Sequence, residues 1–461
     1  MTLNSLYMKK TAEHHHVRDS FGSSFGVLVA LAGSAVGLGN LWRFPYLVGE
    51  NGGAAFIIIY LGFVCLIGIP ILVSEFIIGR RSQANARGSF KKLAPDTHWG
   101  IAGIFAILCC TLILSFYSVV GGWGIEYFVK ALGFGFDSGD SATFTSMFTE
   151  LTSSSWKPLL YHTLFLGITA TIVLFGVKNG IEKFSKVMMP LLFVIMIGLA
   201  VRSLTLPGAK AGIDYLFKPD FSKVTADTFL AAMGQAFFSL SLGSGMVITY
   251  GSYVSKKENI VSLSAQTAIA DTLFALIAGC AIMPAVFAFG ISPGEGPGLV
   301  FITLPNIFGQ LPFGGVIAIL FFFALLLAAL TSSISVLEVI VAFCIEEFKV
   351  KRNWAVAMSV TVLWVLGCLC SLSQGALSDM KIFGKTVFDL FDFVSANILM
   401  LIGGLLVVIF AGWRLGKKVI HEELTNDGAL HIPAWFLDTL GFLIRFVAPA
   451  GILAIAIFQW I

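Results

Sequence analysis

The hydrophobic positions of this chain neither alternate nor recur every third or fourth residue; they run on. Apolar stretches occupy 21–48, 53–79, 100–130, 159–176, 184–203, 228–253, 262–290, 315–347, 354–372, 388–413 and 435–461. Runs of about 20 residues are long enough to carry an α-helix across the hydrocarbon core of a bilayer. Inside a bilayer the backbone has no water to bond, so each run must satisfy its own N–H and C=O groups as a helix. The pattern predicts an all-α polytopic membrane protein with eleven transmembrane helices.

Composition agrees and narrows the function. Hydrophobic residues make up 57% and charged residues 12% of the 461-residue chain, against about 25% charged in a soluble domain. A soluble enzyme is excluded. No HExxH, GxSxG or phosphate-loop motif offers membrane-enzyme chemistry, and the paired acids Glu346 and Glu347 come without a His or metal cluster. The 29 Lys and Arg are scattered and the net charge is only +3, which provides no nucleic-acid surface. The seven Cys fall inside apolar runs and read as buried thiols, without zinc spacing. Residues 1–20 are polar and cannot be a signal peptide, and His14, His15 and His16 are assigned no role.

Basic residues set the orientation. With the N-terminus inside, cytoplasmic segments hold 19 Lys and Arg and external segments 8, leaving Arg43 and Arg445 within spans. Because Lys and Arg accumulate on the cytoplasmic side, the N-terminus is expected in the cytoplasm and, after eleven spans, the C-terminus outside.

Two spans cannot be continuous helices. The first carries Gly33-Ser34-Ala35-Val36-Gly37-Leu38-Gly39-Asn40 at mid-membrane depth, and the sixth carries Ser239-Leu240-Ser241-Leu242-Gly243-Ser244-Gly245. They are five spans apart, as two copies of a five-helix unit would place them, and an odd number of spans per copy makes the copies inverted. Paired interruptions of this kind point to a midplane substrate and ion site in a secondary transporter; close packing through small residues is the competing reading of either segment alone. The expected organisation is a cytoplasmic segment 1–20, a first repeat 21–203, an extracellular connection 204–227, a second repeat 228–413, and a cytoplasmic loop with the eleventh helix at 414–461.

Five motifs in order, GSAVGLGNLWRFP at 33–45, NGGAAF at 51–56, GIPILVSEFIIGR at 68–80, GQAFFSLSLGSG at 234–245 and LTSSIS at 330–335, make the chain resemble the neurotransmitter:sodium symporter family over spans one to ten. Eleven spans without a twelfth look like the prokaryotic members. The resemblance implies two sodium sites. One would use the carbonyl of Ala35 with the side chains of Asn40, Ser239 and Asp271; the other would use the carbonyls of Gly33, Val36 and Ala328 with the hydroxyls of Thr331 and Ser332. Sodium is a hard cation that takes oxygen ligands, and a broken helix exposes carbonyls that supply them. Without the motif, Thr331 and Ser332 would read as hydroxyls bonded back to the preceding turn.

Chloride-dependent relatives carry Asn where this chain has Asp271, and their anion lies among groups matching Tyr60, Gln235, Ser239, Asp271 and Ala275. Ala275 cannot donate to an anion, and the Asp271 carboxylate brings the negative charge itself, so chloride-independent transport is expected; a helix-interior acid paired with a neighbour is the plainer reading. Gly37 replaces the Asp of the amine carriers, which leaves room for a substrate with its own carboxylate, an amino acid. That carboxylate would meet the N–H groups of Leu38 and Gly39 at a half-helix start and the hydroxyl of Tyr117, while carbonyls near Ala35, Phe238 and Ser239, with the hydroxyl of Ser241, would hold the ammonium. Ile113, Tyr117, Phe238, Ser244, Ser332 and Val336 would bound the side-chain pocket. Ser244 stands where carriers of small aliphatic substrates can have an aromatic residue, so a large hydrophobic or aromatic substrate is expected.

By the same resemblance Arg43 and Asp392 would form the outer gate over Tyr117 and Phe238, Arg18 would pair with Glu346 at the inner face beside Tyr253, and Glu75 would organise the polar network near span six. Arg445 lies outside the resemblance and reads as snorkelling or touching a partner. The implied function is sodium-coupled symport of a neutral amino acid across a cell (inner) membrane, with substrate, sodium ions and lipid as partners. A sodium-dependent sensor of the same fold is the alternative, and the absence of a cytoplasmic signalling domain counts against it.

Overall fold

A computed structural model describes residues 19–136, 141–290 and 298–458; among these the regular structure is helical, joined by turns and loops and with one isolated bridge between Ile382 and Lys385. Among the described residues nine unbroken apolar helices are long enough to cross a membrane: Ala54–Ser82, Gly100–Leu132, Lys157–Leu174, Val177–Leu204, Ile260–Ala288, Gly314–Phe348, Arg352–Leu372, Val387–Leu424 and Ala434–Phe458. The bent first span makes ten by length and composition, and the sixth expected span is two short half-helices. In the first, Ser24–Ala35 and Gly39–Glu50 meet at a bend of 56°. In the sixth, Ala226–Ser239 and Met246–Gly251 flank an unwound turn.

The residues explain both breaks. Val36 has extended backbone angles at the end of its half-helix, and Gly37 and Gly39 offer no Cβ to stiffen the turn. In the sixth span Ser241, Gly243 and Gly245 all have positive φ, at 53°, 77° and 79°. Gly243 is obligatory, because a Cβ there would stand 2.1 Å from the Met400 carbonyl oxygen.

The two broken spans lie against each other at the centre of the bundle. Asn40 bonds Ser239, and Ser241 Oγ donates to the carbonyl of Ser34 at 3.4 Å. Spans three and eight pack beside them, and the outward faces of the bundle carry exposed apolar side chains such as Leu108, Leu164, Val194 and Val362. Apolar exposure on this scale is a lipid contact surface. Shorter helices outside the predicted spans fill the ends: Ala86–Leu93 on one face, beside the last turns of Val387–Leu424, and Ser141–Ser153, Lys210–Phe217 and Leu299–Gln310 on the other. Cys65 corrects the reading of buried thiols: it faces outward, whereas Cys109, Cys110, Cys344 and Cys370 are buried.

Candidate functional site

Four polar side chains converge where the breaks meet span seven. Asp271, Asn40 and Tyr60 are wholly buried and Ser239 nearly so. The Asp271 carboxylate accepts from Asn40 Nδ2 at 2.8 Å, Ser239 Oγ at 2.7 Å and Tyr60 OH at 3.4 Å. Asn40 also reaches Ser239 Oγ at 3.0 Å, and its Oδ1 accepts the N–H of Gly37 at 3.0 Å. One asparagine therefore ties the break in span one to the end of the first half of span six and to span seven. A carboxylate, an amide oxygen and a hydroxyl oxygen in one dry cluster suit a hard monovalent cation. Gln235, one turn before Ser239, is fully buried, and neither of its amide atoms has a hydrogen-bond partner among the described residues.

A second cluster joins spans one and eight. A Cβ on Gly33 would stand 3.1 Å from Thr331 Cβ, so the two helices touch there. Thr331 Oγ1 donates to the carbonyls of Leu327 and Ala328, each at 3.0 Å, and Ser332 Oγ donates to the Ser34 carbonyl at 3.4 Å. The Thr331 hydroxyl thus bonds back along its own helix, as Thr and Ser in apolar helices commonly do, whereas Ser332 reaches across to span one. Both hydroxyls face the broken end of span one. Val36, whose N–H bonds Ala32, and Ala35 close that half-helix.

Beside both clusters Gly37 faces Tyr117 and Ser332, where an added Cβ would come within 3.2 Å of Tyr117 OH and 3.4 Å of Ser332. The N–H of Leu38 bonds Tyr117 OH at 3.4 Å. Phe238 packs so closely on Gly39 that a Cβ there would fall 2.7 Å from its ring. Ile113, Tyr117, Phe238 and Ser241 are mostly but not wholly buried, and Ser244 and Val336 are buried. Ser244 Oγ turns back to the Ser241 carbonyl at 2.6 Å and stabilises the unwound turn. Glu75 caps the same turn: its Oε1 accepts the Gly243 N–H at 2.7 Å, and Oε2 has no partner among the described residues.

The two faces of the site differ. On the face expected outside, Arg43 lies over the Phe238 ring, 4.5 Å from its centroid; Asp392 is exposed, and no ion pair joins it to Arg43 among the described residues. On the inner side Arg18 lies outside the described residues, and Glu346 Oε2 accepts from the backbone and side-chain nitrogens of Asn85 at 2.8 and 2.9 Å. Tyr253 is placed against a different acid of span eight, Glu338, to which it donates at 2.8 Å. Glu338 is wholly buried and paired with Arg352, which also reaches Asp19 at 3.3 Å and the Val173 carbonyl at 2.8 Å. The sequence reading passed over both residues. An acid inside an apolar span was the available signal for Glu338; Arg352 was counted only as a loop charge.

Comparison with known proteins agrees with this geometry. The sodium:neurotransmitter symporter family model matches residues 18–136 and 136–461. An uncharacterized sodium-dependent transporter of Bacillus subtilis, YhdH, is 42% identical over 438 residues, which cover 94% of this chain and 96% of that one. One of Haemophilus influenzae is 37% identical, covering 95% and 98%. The crystal structure of MhsT in complex with L-phenylalanine superposes with a TM-score of 0.87 at 44% identity, over 95% of this chain and 99% of that chain. The chain belongs to the sodium:neurotransmitter symporter family, and is a sodium-dependent membrane transporter rather than an enzyme.

Proposed function

We propose that the protein imports a neutral amino acid with a large hydrophobic or aromatic side chain, coupled to sodium at two sites and without need of chloride. The observation that carries the reading is the buried carboxylate of Asp271, bonded by Asn40, Ser239 and Tyr60. Sodium bound at Asn40, Ser239 and Asp271, with the Ala35 carbonyl, would meet a fixed negative charge, so no mobile anion is required. The second ion would take the carbonyls of Gly33, Val36 and Ala328 with Thr331 and Ser332.

Asn40 is the natural coupling element. Its amide oxygen bonds Gly37 N–H and its nitrogen faces Asp271, and the two ends of an amide exchange places by a half-turn. Coordinating sodium calls for the oxygen on the Asp271 side. The turn frees the Gly37 N–H for a substrate carboxylate that Leu38, Gly39 and Tyr117 also face. The carbonyls near Ala35, Phe238 and Ser239, with Ser241, would take the ammonium, and the side chain would extend toward Ile113, Ser244, Ser332 and Val336. The L-phenylalanine in the MhsT complex supports an aromatic substrate. The five-helix units 21–203 and 228–413 then rock about this centre, with Arg43 and Asp392 outside and Tyr253, Glu346 and Arg18 inside as gates. The excess of basic residues in one set of loops supports a cytoplasmic N-terminus and a cell-membrane location.

Uptake of labelled phenylalanine, tryptophan, leucine and alanine into proteoliposomes tests this, with sodium replaced by choline and chloride by gluconate. Uphill accumulation of the large substrates that stops in choline and persists in gluconate is expected. Saturable binding without accumulation would identify a sensor, and loss of uptake in gluconate would overturn the role given to Asp271.

A further inference from the structure

The eleventh span carries a charge for which the transport cycle has no use. Arg445 lies eleven residues into Ala434–Phe458, beside Lys417 at the polar end of span ten, and an arginine in an apolar span is costly without a partner. The fold brings helix ten against it: a Cβ on Gly412 would fall 2.9 Å from Arg445 Cγ. Trp413 Nε1 donates at 3.2 Å to the Arg445 carbonyl, which belongs to a wide turn at Leu443–Val447. The guanidinium lies over the rings of Trp413 and Phe446, at 5.1 and 5.8 Å.

Its charge remains unmatched. Among the described residues no carboxylate pairs with Arg445, and its buried Nε makes no hydrogen bond. The side chain lines a cleft of about 190 Å³ together with Lys417, His421, Asp438, Gly441 and Phe442. Asp438 already holds Lys417 at 2.7 Å and lies 3.7 Å from His421 Nε2. One acid thus faces two permanent cations and a histidine. The rim is apolar and outward-facing: Trp413, Phe442 and Phe446 are each about half exposed on the lipid surface of the bundle.

We propose that this cleft seats the headgroup phosphate of an anionic phospholipid, held by Arg445 and Lys417, with the acyl chains along Phe442 and Phe446. A guanidinium fork matches phosphate oxygens, and a basic cleft between membrane helices is a headgroup site by its chemistry. A soluble anion would gain nothing from the apolar rim. The inference rests on the eleventh span being in the membrane and not on the substrate or on chloride.

Native mass spectrometry of the full-length protein tests it, with phosphatidylglycerol, phosphatidylethanolamine or inorganic phosphate added. Wild type should retain phosphatidylglycerol in preference to phosphatidylethanolamine by about fivefold or more, the effect of one cationic contact. Arg445→Gln should abolish that preference. Gly441→Leu, where an added Cβ meets nothing within 4 Å, should fill the cleft and lose the lipid while keeping every cation. Equal retention of the two lipids by wild type, unchanged preference in both variants, or retention of inorganic phosphate in place of lipid would each overturn the proposal. Sodium-dependent uptake by the variants serves as the control for folding.

Discussion

Replacing Asp271 with asparagine removes one negative charge from the centre of the bundle and almost no volume. The carboxylate lies 2.7 and 2.8 Å from Ser239 and Asn40, so an ion held by these groups would sit within about 4 Å of it. At that separation a unit charge pair is worth about 4 kcal/mol at the effective dielectric suited to protein sites. An amide oxygen keeps part of this attraction as an ion–dipole contact, leaving a net loss of about 2–3 kcal/mol, or roughly 30–150-fold in sodium affinity. The same change turns an acceptor into a donor. Ser239 and Tyr60 now donate to the carboxylate; in Asp271→Asn a new amide N–H joins these two hydroxyls while one carboxylate acceptor is lost, so the cluster gains donors available to an anion. Sodium titration of phenylalanine uptake, in gluconate and in chloride, reads both effects. The half-saturating sodium concentration should rise by the stated factor in gluconate, and chloride should recover part of the loss. An unchanged sodium dependence in gluconate would refute the reasoning, because the carboxylate would then contribute nothing to the ion.

Two further substitutions test the rest of the centre. Gly37→Val would put methyl groups into the space between Tyr117 OH and Ser332, which stand 3.2 and 3.4 Å from a Cβ at that position; because that space would take the carboxylate every amino acid carries, half-saturation for phenylalanine and for alanine should both rise at least about tenfold, whereas an unchanged value for either would move the carboxylate elsewhere. Thr331→Ala would remove the hydroxyl that reaches the Leu327 and Ala328 carbonyls; if the second ion binds there, uptake should lose its sigmoidal dependence on sodium, whereas a merely structural hydroxyl would leave the curve's shape intact.

The architecture was legible because a bilayer removes choices: an apolar run must be a helix, and a glycine-rich polar interruption at mid-depth must be a break. Both breaks stand where the Gly and Ser clusters put them, and Asn40, Ser239 and Asp271 meet although they lie on three different spans. Other features were not legible. Leu299–Gln310 is apolar but too short to span; what makes it a helix is aromatic packing of Phe301 on Tyr127 and Phe148, at 4.9 and 5.4 Å, partners more than 150 positions away in the chain. Glu338 was passed over because an apolar run hides one acid, and its partner Arg352 is separated from it by a helix end. The Asn85 contact of Glu346 likewise depends on where a loop turns back, which local pattern does not encode.

The inner and outer faces are held with unequal strength, and this bears on the direction of the cycle. Inside, Glu338 is shut from solvent, bonded by Tyr253 and paired with Arg352, while the Phe21 ring packs edge-on against Tyr250 and Tyr253 at 5.6 and 6.3 Å. Outside, Arg43 rests on Phe238 and makes no ion pair with Asp392 among the described residues. A conformer closed within and loose without receives sodium from the external side, where a gradient would supply it. Arg352→Gln should disturb this balance. It strands a buried carboxylate, at a cost of about 3–5 kcal/mol, and the cheapest relief is to open the inner face to water. Apparent affinity for an external ion scales with the fraction of protein in the competent state. Sodium binding should therefore weaken although no sodium ligand has changed, and hydrogen exchange should quicken across Met246–Gly251 and the first half of span one. Arg43→Gln should leave exchange in those inner segments as it is. Equal exchange in wild type and Arg352→Gln, with sodium affinity intact, would mean that Glu338 and Arg352 only fasten two helices together and do not set which face is open.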